Sequence, residues 1–420
     1  MATKEMLLNE FSISGNDMNS FKKIVMDMSD ATDVLTVKSK EITFLSLCDI
    51  EKYQTPGKTT FYILNDDYVD DFISFGERLR LGSIKNEVLG EELLAEVKNT
   101  TGLMALIDGE KYLISRSTLT TLAQRACVSG DSTVKRNNLA RDLHIADALF
   151  SRNEGINLVY RHVKGDVSKG EETVNKIFAA FSSDFILNRQ DILIRAMENK
   201  DFPFDEYEVK DFNIDNSITE LSLYLPKANG ELRSGLIIRN SDIGNSSLIV
   251  RNVIFTGRSC IITNETSLRH DRGFTFERLM DETLAGAKKF YDSSDIIEQF
   301  ASLKNLPVLN YDKFDAQSDQ DTEENFSIVQ DLVVSGVLNL YKPLIPNKSF
   351  KNVCRYLSDE IEGSRQYTFF DIAKFLISVP EHLVHLDYPT LVNLKKAAAK
   401  IPTYLNERIA TLVPDIMMSA

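Results

Sequence analysis

This chain has no tryptophan, only five histidines, and four cysteines far apart, at Cys48, Cys127, Cys260 and Cys354. No C-x-x-C pair occurs, so a zinc ribbon or a dithiol redox pair lacks ligands at the needed spacing. Reduced, mostly buried thiols of a cytosolic protein are the expectation. No apolar run reaches about 18 residues, so no segment is expected to span a membrane. The opening MATKEMLLNEFSISGNDMN lacks a basic n-region and a long apolar h-region, so secretion by a signal peptide is not expected. Triplets such as Asn245-Ser246-Ser247 then carry no glycosylation meaning.

Catalytic signatures are missing as well. Gly57-Lys58-Thr59 imitates the end of a phosphate loop, but Lys52 stands where the first glycine belongs, and Thr59–Leu64 is β-like instead of helical. Cys260 and His270 invite a thiol–imidazole pair, yet Cys260 lies in the apolar run Ser259–Ile262 and reads as a buried thiol. His382 and His385 share a helix end without further ligands, which favours a capping or surface pair over a metal site. No Ser/His/Asp order, carboxylate pair or G-x-G-x-x-G fingerprint stands out. The residues therefore assign no enzyme activity, no cofactor and no metal.

What is present in excess is acid. The 62 acidic side chains outnumber the 48 basic ones, giving a net charge of −14. Such a chain is no general nucleic-acid coat, so any such contact needs a locally segregated basic surface. At 420 residues the chain exceeds one ordinary core, which predicts two or three domains.

Four regions are expected in order. Residues 1–100 read as mixed α/β: a helix at Phe21–Met28, strands at Val34–Val37, Ile42–Leu47 and Thr59–Leu64, a turn at Gln54–Gly57, and a helix at Glu87–Lys98. Residues 101–303 read as an α+β core. Strands at Gly102–Ile107 and Lys111–Ser115 flank the hairpin signal Asp108-Gly109. Ser117 is the expected N-cap of a helix at Thr118–Cys127, and a second helix covers Asn138–Phe150. The segment between them, with its flanks, sets Arg125, Lys135, Arg136 and Arg141 against the single acid Asp131, a modest basic patch read either as a solvated helical face or as a ligand site. Strands follow at Asn157–Val163, Lys176–Phe181, Tyr207–Phe212 and Ile218–Leu225, with a helix near Gln190–Asn199. An apolar stripe at helical spacing runs through Phe274–Leu303.

The segment 304–326 is an acidic linker or loop, with six acids and one lysine between Asp312 and Glu324 and no turn glycine for calcium. Residues 327–420 read as all-helical, with helices at Ile328–Leu340, Asn352–Ile361, Phe369–Ile377 and Leu391–Ala399. Without a regular βαβ rhythm, the fold class is α+β: a mixed, largely antiparallel sheet core with packed helices, then a helical C-terminal region.

The stretch Arg233–Gly273 organises the rest. Strands at Gly235–Arg239 and Leu248–Phe255 are joined by the turn cluster Asn240–Asn245, and a third at Cys260–Thr263 enters the polar knot Asn264–Arg272. Its cationic positions are Arg233, Arg239, Arg251, Arg258, Arg269, His270 and Arg272, with no lysine. Two readings stay open: internal pairing with Asp242, Glu265 or Asp271, or an anionic ligand held by the guanidinium forks.

The block N-S-D-I-G-N-S-S-L-I-V-R, Asn240–Arg251, followed by Cys260, Asn264 and Arg269-His270, resembles the phage- and plasmid-borne family catalogued as domain of unknown function 932. Asp108–Tyr112 with Leu122-Ala123, Lys176–Ser183 with Asp191–Leu193, and Tyr367–Ala373 add to the likeness. Two departures stand out: three residues separate Cys260 from Asn264 where the family has one, and Glu265 replaces its glycine. The motif turn is Asn240, Ser241 and Gly244, with Asn264 following.

The resemblance implies a phage or mobile-element setting in the host cytoplasm, beside DNA-processing genes. The leading expectation is a non-enzymatic protein that binds nucleic acid, with single-stranded DNA in replication or recombination as the form considered. Arg239, Arg251, Arg258, Arg269, His270 and Arg272, with Lys135 and Arg136, are the candidate phosphate contacts, and Tyr160 or Phe255 the candidate base-stacking rings. The alternative is a structural or assembly protein that self-associates into a homo-oligomer, including a place in the virion.

Overall fold

The computed structural model describes residues 12–46, 60–65, 80–85, 101, 103–128, 139–163, 174–187, 189–199, 206–268, 295–305, 339–340, 342–344, 356, 368–382 and 386–405. The expected turn at Gln54–Gly57, the helix at Glu87–Lys98, the acidic linker, and the candidates Lys135, Arg136, Arg269, His270 and Arg272 lie outside them.

Two sheets carry the fold. The first is fully antiparallel, built from β1 (Ser12–Gly15), β10 (Glu208–Asp215), β11 (Thr219–Asn229), β12 (Leu232–Asn240), β13 (Leu248–Thr256) and β14 (Ser259–Leu268) in that spatial order. The second is mixed and eight-stranded: β2 (Thr32–Lys38), β8 (Gly155–Val163), β9 (Val174–Ser182), β7 (Glu110–Ile114), β6 (Leu103–Ile107), β3 (Thr43–Ser46), β4 (Thr60–Asn65) and β5 (Arg80–Lys85). Among the described residues only β7 and β9 pair in parallel; a parallel pair needs a long crossover, and α2 (Arg116–Arg125), α3 (Leu139–Arg152) and β8 lie between them in the chain. The fold class is α+β, as the irregular strand–helix order predicts. Strands from the first hundred residues enter both sheets, since β1 pairs with β10 and β2 with β8.

Local chemistry explains the elements. Asp108 and Gly109 take φ values of 50° and 83°, the left-handed pair that closes a two-residue hairpin between β6 and β7. Helix α1 (Met18–Ala31) buries Phe21, Val25 and Met28 at helical spacing, and Asp17 caps it by accepting the Ser20 amide at 2.7 Å. Helix α2 starts two residues earlier than the sequence suggests. Its N-cap is Ser115, which accepts the Thr118 amide at 3.1 Å, while the Ser117 hydroxyl donates to the Phe178 carbonyl on β9. Ser117 is therefore a tether to the sheet and not the cap. Asn264–Leu268, expected to open the polar knot, are strand instead. β14 runs on through Leu268, because Asn264 and Glu265 pair with Asn252 and Arg251 across a bulge beside Val253.

Among the described residues, three large apolar clusters fill the layers. One lies between the second sheet and α2 and α3. Another packs α1 and α4 (Ile192–Met197) on one face of the first sheet. The third joins α5 (Asp295–Ser302), α6 (Phe369–His382) and α7 (Tyr388–Ala398) to Leu232, Ile254 and Ile261 on that same sheet. These C-terminal helices thus share a core with β12–β14. Val392 of α7 also meets Val253, Cys260 and Ile262, which lie on the sheet's other face, so α7 straddles the β14 edge. Among the described residues, no helix is long and apolar enough to cross a membrane.

Candidate functional site

The Asn-Ser-x-x-Gly turn leaves the first sheet and inserts into the second. Asn240, Ser241 and Asp242 are completely buried, and Ile243 packs on Val159, Phe178 and Ala179 of β8 and β9. Gly244 has a φ of 77°, and a Cβ there would lie 2.6 Å from the Phe181 ring, so both backbone and packing require glycine. Asp242 meets Arg161 from β8: one guanidinium nitrogen of Arg161 lies 3.0 Å from each carboxylate oxygen, and neither side chain is exposed to solvent. Arg161 also donates to the Asn216 carbonyl at 2.8 Å and to the Thr32 hydroxyl at 3.2 Å, and rests 4.6 Å from the Phe178 ring centroid. Gln190 completes the joint, donating to Asp242 and accepting from Asn240. A buried ion pair survives only when its remaining hydrogen-bond capacity is met, and here it is met from both sheets.

Strand alternation sends the next arginine the other way. Arg239 precedes the buried Asn240 and projects from the opposite face of the first sheet, where it meets Arg251 as a diagonal cross-strand neighbour. The Arg239 guanidinium lies 4.3 Å from the Tyr388 ring centroid and donates to Glu220 at 3.2 Å. Arg251 donates through Nε to Glu265 at 2.7 Å and through Nη1 to the Tyr388 hydroxyl at 2.7 Å. Glu265 also accepts from Lys396 of α7 at 2.8 Å. Burial alone would raise the Glu265 carboxyl, but the bonds from Lys396 and Arg251 outweigh it and hold the group below its ordinary range. For Arg251 burial works toward a lower value, and the bonds to Glu265 and Tyr388 overcome it and raise the guanidinium.

Glu265 and Lys396 of this network line a cleft of about 570 Å³ between β14 and the chain from Lys396 of α7 to Tyr404. Thr263, Asn264 and Glu265 line one wall, and Lys396, Lys400, Thr403 and Tyr404 the other. The volume is that of a small-ligand or single-nucleotide site. Farther along the same sheet face, Arg233 stacks on Tyr224 at 3.9 Å and Lys210 approaches Phe255 at 5.1 Å. Cations thus alternate with aromatic rings, each cation also paired with an acid: Arg233 with Glu208, and Lys210 with Asp211.

The candidates named from sequence now separate. Arg239 and Arg251 come together, inward of the cleft and internally paired, and Asn264 lines the cleft itself. Arg258 is exposed in the β13–β14 turn. Asn240, Ser241 and Gly244 belong to the buried joint. Phe255 is buried over Gly235 and set edge-on to Tyr224, and Tyr160 is half-buried against Tyr112 and His162. Cys260 is buried, which pushes its thiol up, as its apolar run suggests, whereas Cys127 is exposed beside Arg152. The side chain of His382 and the whole of His385 lie outside the described residues. Among the described residues, no group of three metal-ligating side chains occurs.

Sequence reasoning misses Arg161, Tyr388, Lys396 and Lys400. Asp242 is a candidate partner for an arginine, but the arginine it meets lies 81 positions earlier. An arginine inside the apolar strand Asn157–Val163 is the available signal. No family model, curated protein or solved structure matches the chain.

The depressed Glu265 carboxyl sets an acid limit. A folded-state value below the ordinary 4.5 contributes stability that is present above that value and lost as pH falls through the folded one. Glu265→Gln is expected to flatten the acid limb of urea-midpoint measurements between about pH 5 and about pH 3. Equal slopes for the two proteins would remove Glu265 from the acid response.

Proposed function

We propose that this chain is a non-enzymatic protein of a phage or mobile element that binds nucleic acid at the β14–α7 cleft. The mobile-element setting rests on the likeness of Asn240–Arg251 and its flanks to the phage- and plasmid-borne family. The observation that carries the binding reading is the composition of the cleft: Lys400 and Lys396, the latter bonded to Glu265 at 2.8 Å, face Thr263 and Asn264 across it. Point charges beside neutral donors suit a sugar–phosphate backbone, which a protein meets with lysine, threonine and asparagine. The arginines fall into a supporting role, since Arg251 holds Glu265 of the cleft wall and the Tyr388 hydroxyl, and Arg239 pairs with Glu220. With a net charge of −14, binding must be confined to this surface and sensitive to salt.

The test is anisotropy of a labelled oligothymidylate from about 50 mM to about 200 mM salt. Wild type is expected to weaken linearly on a log–log plot. Lys396→Gln/Lys400→Gln should bind more weakly, with a slope shallower by about 1.4 units. Absence of binding at the lowest salt, or an unchanged slope in the double variant, contradicts the reading. Light scattering on the same samples distinguishes the assembly alternative, which requires a closed oligomer and no oligonucleotide affinity.

A further inference from the structure

Tyr388 is one of three large apolar or aromatic side chains exposed among the described residues, at 42%. It is also fixed at every point where a surface tyrosine usually moves. Its backbone is the first residue of α7, held by the Asp387 cap, whose carboxylate accepts the Thr390 amide at 2.9 Å, and by Pro389 immediately after it. Its hydroxyl accepts from Arg251 at 2.7 Å, and Arg239 lies 4.3 Å from the ring centroid. Through Arg251 and Glu265 the ring is joined to Lys396 on the cleft wall. An aromatic surface ordered before any ligand arrives, beside cations, is the arrangement with which single-strand binders hold bases.

Resting on the nucleic-acid reading above, we infer that Tyr388 is a stacking platform for one base of a single strand whose backbone follows Lys396 and Lys400. A base in a duplex already has its faces covered by its neighbours and cannot stack on the ring without leaving them. The platform therefore selects single-stranded nucleic acid, and it selects weakly among bases, since every base offers a π-face. Arg239 beneath the ring and Arg251 at its hydroxyl are positioning residues for the platform.

The experiment uses the full chain and a fluorescein-labelled oligothymidylate of about 20 nucleotides, with the corresponding duplex as comparison. Tyr388→Leu is expected to weaken single-strand binding about tenfold with an unchanged salt slope, because stacking releases no counterions. Tyr388→Phe keeps the ring and should bind within about threefold of wild type, which distinguishes lost stacking from lost folding. Because the chain has no tryptophan, Tyr388→Trp introduces a single indole whose fluorescence should be quenched by the single strand and not by the duplex. Binding by Tyr388→Leu equal to wild type, or an indole signal unchanged at saturation, overturns the platform and leaves the cleft reading intact. Failure of the wild type to bind at low salt overturns both.

Discussion

Arg161→Met is expected to cost about 3–5 kcal/mol of folding stability, a large part of the roughly 5–15 kcal/mol an ordinary protein has. The substitution leaves the Asp242 carboxyl fully buried without its counter-charge, with Gln190 its remaining close donor and the Thr32 hydroxyl 3.4 Å away. It also strips the Asn216 carbonyl of its donor. Asp242→Asn should be damaging for the mirror-image reason, leaving a guanidinium without its counter-charge. The pair itself contributes little beyond what its desolvation costs, so Arg161→Met with Asp242→Leu is expected to regain most of the loss. Urea midpoints followed by circular dichroism measure all three. A loss below about 1 kcal/mol for Arg161→Met would mean that the joint does not hold the two sheets together.

The second large effect concerns Gly235 on β12. A Cβ at this position would lie 2.2 Å from the Phe255 ring and 2.4 Å from the Leu223 carbonyl oxygen. The ring swings across the glycine and meets Tyr224 edge-on at 5.3 Å, so a cross-strand aromatic covers the gap that the missing side chain leaves. Gly235→Ala is expected to destabilise by about 3 kcal/mol, the upper range for overpacking, because one of the colliding atoms is backbone and cannot rotate away. Adding Phe255→Leu relieves only the ring contact, so part of the loss should remain. Gly257, in the open β13–β14 turn with a φ of 57° and no atom near its absent Cβ, offers the comparison. Its alanine variant should lose about 1 kcal/mol, from backbone strain alone. If the two variants lose equally, the tight approach at Gly235 is not what selects glycine.

Much of the architecture is legible because it depends on short-range patterns. The β-like runs Ile218–Leu225, Gly235–Arg239 and Leu248–Phe255, and the Asp108-Gly109 pair, predict strands and hairpins that the structure contains. Helix starts are less legible: Ser115 and Ser117 are equally good caps by residue type, and the choice is made by the Phe178 carbonyl, which is distant in sequence. The two readings of the Arg-rich stretch both depend on pairing register. Arg251 meets Glu265 only because β14 bulges at Thr263, opposite the Asn252–Val253 step of β13, and Arg239 reaches Tyr388 only because α7 folds back over the β14 edge. The joint lies further from view. Asp242 sits in a segment that looks like a solvent-exposed turn, and its burial follows from the second sheet covering it. Lys396 and Lys400 read as the polar side of a short helix until the cleft beside them is known.

The consequence for function is a division between neighbouring residues. Asn240 and Asp242 point into a fully buried joint, whereas Arg239, one position away, supports the surface that carries Tyr388. Hydrogen–deuterium exchange of the full chain, with and without a saturating single-stranded oligonucleotide, tests this division most directly. The expected result is slowed exchange in peptides covering Ser259–Leu268 and Tyr388–Leu405, with the Asn240–Asn245 turn equally protected in both states. Slowed exchange confined to other segments, with those two unchanged, would contradict it.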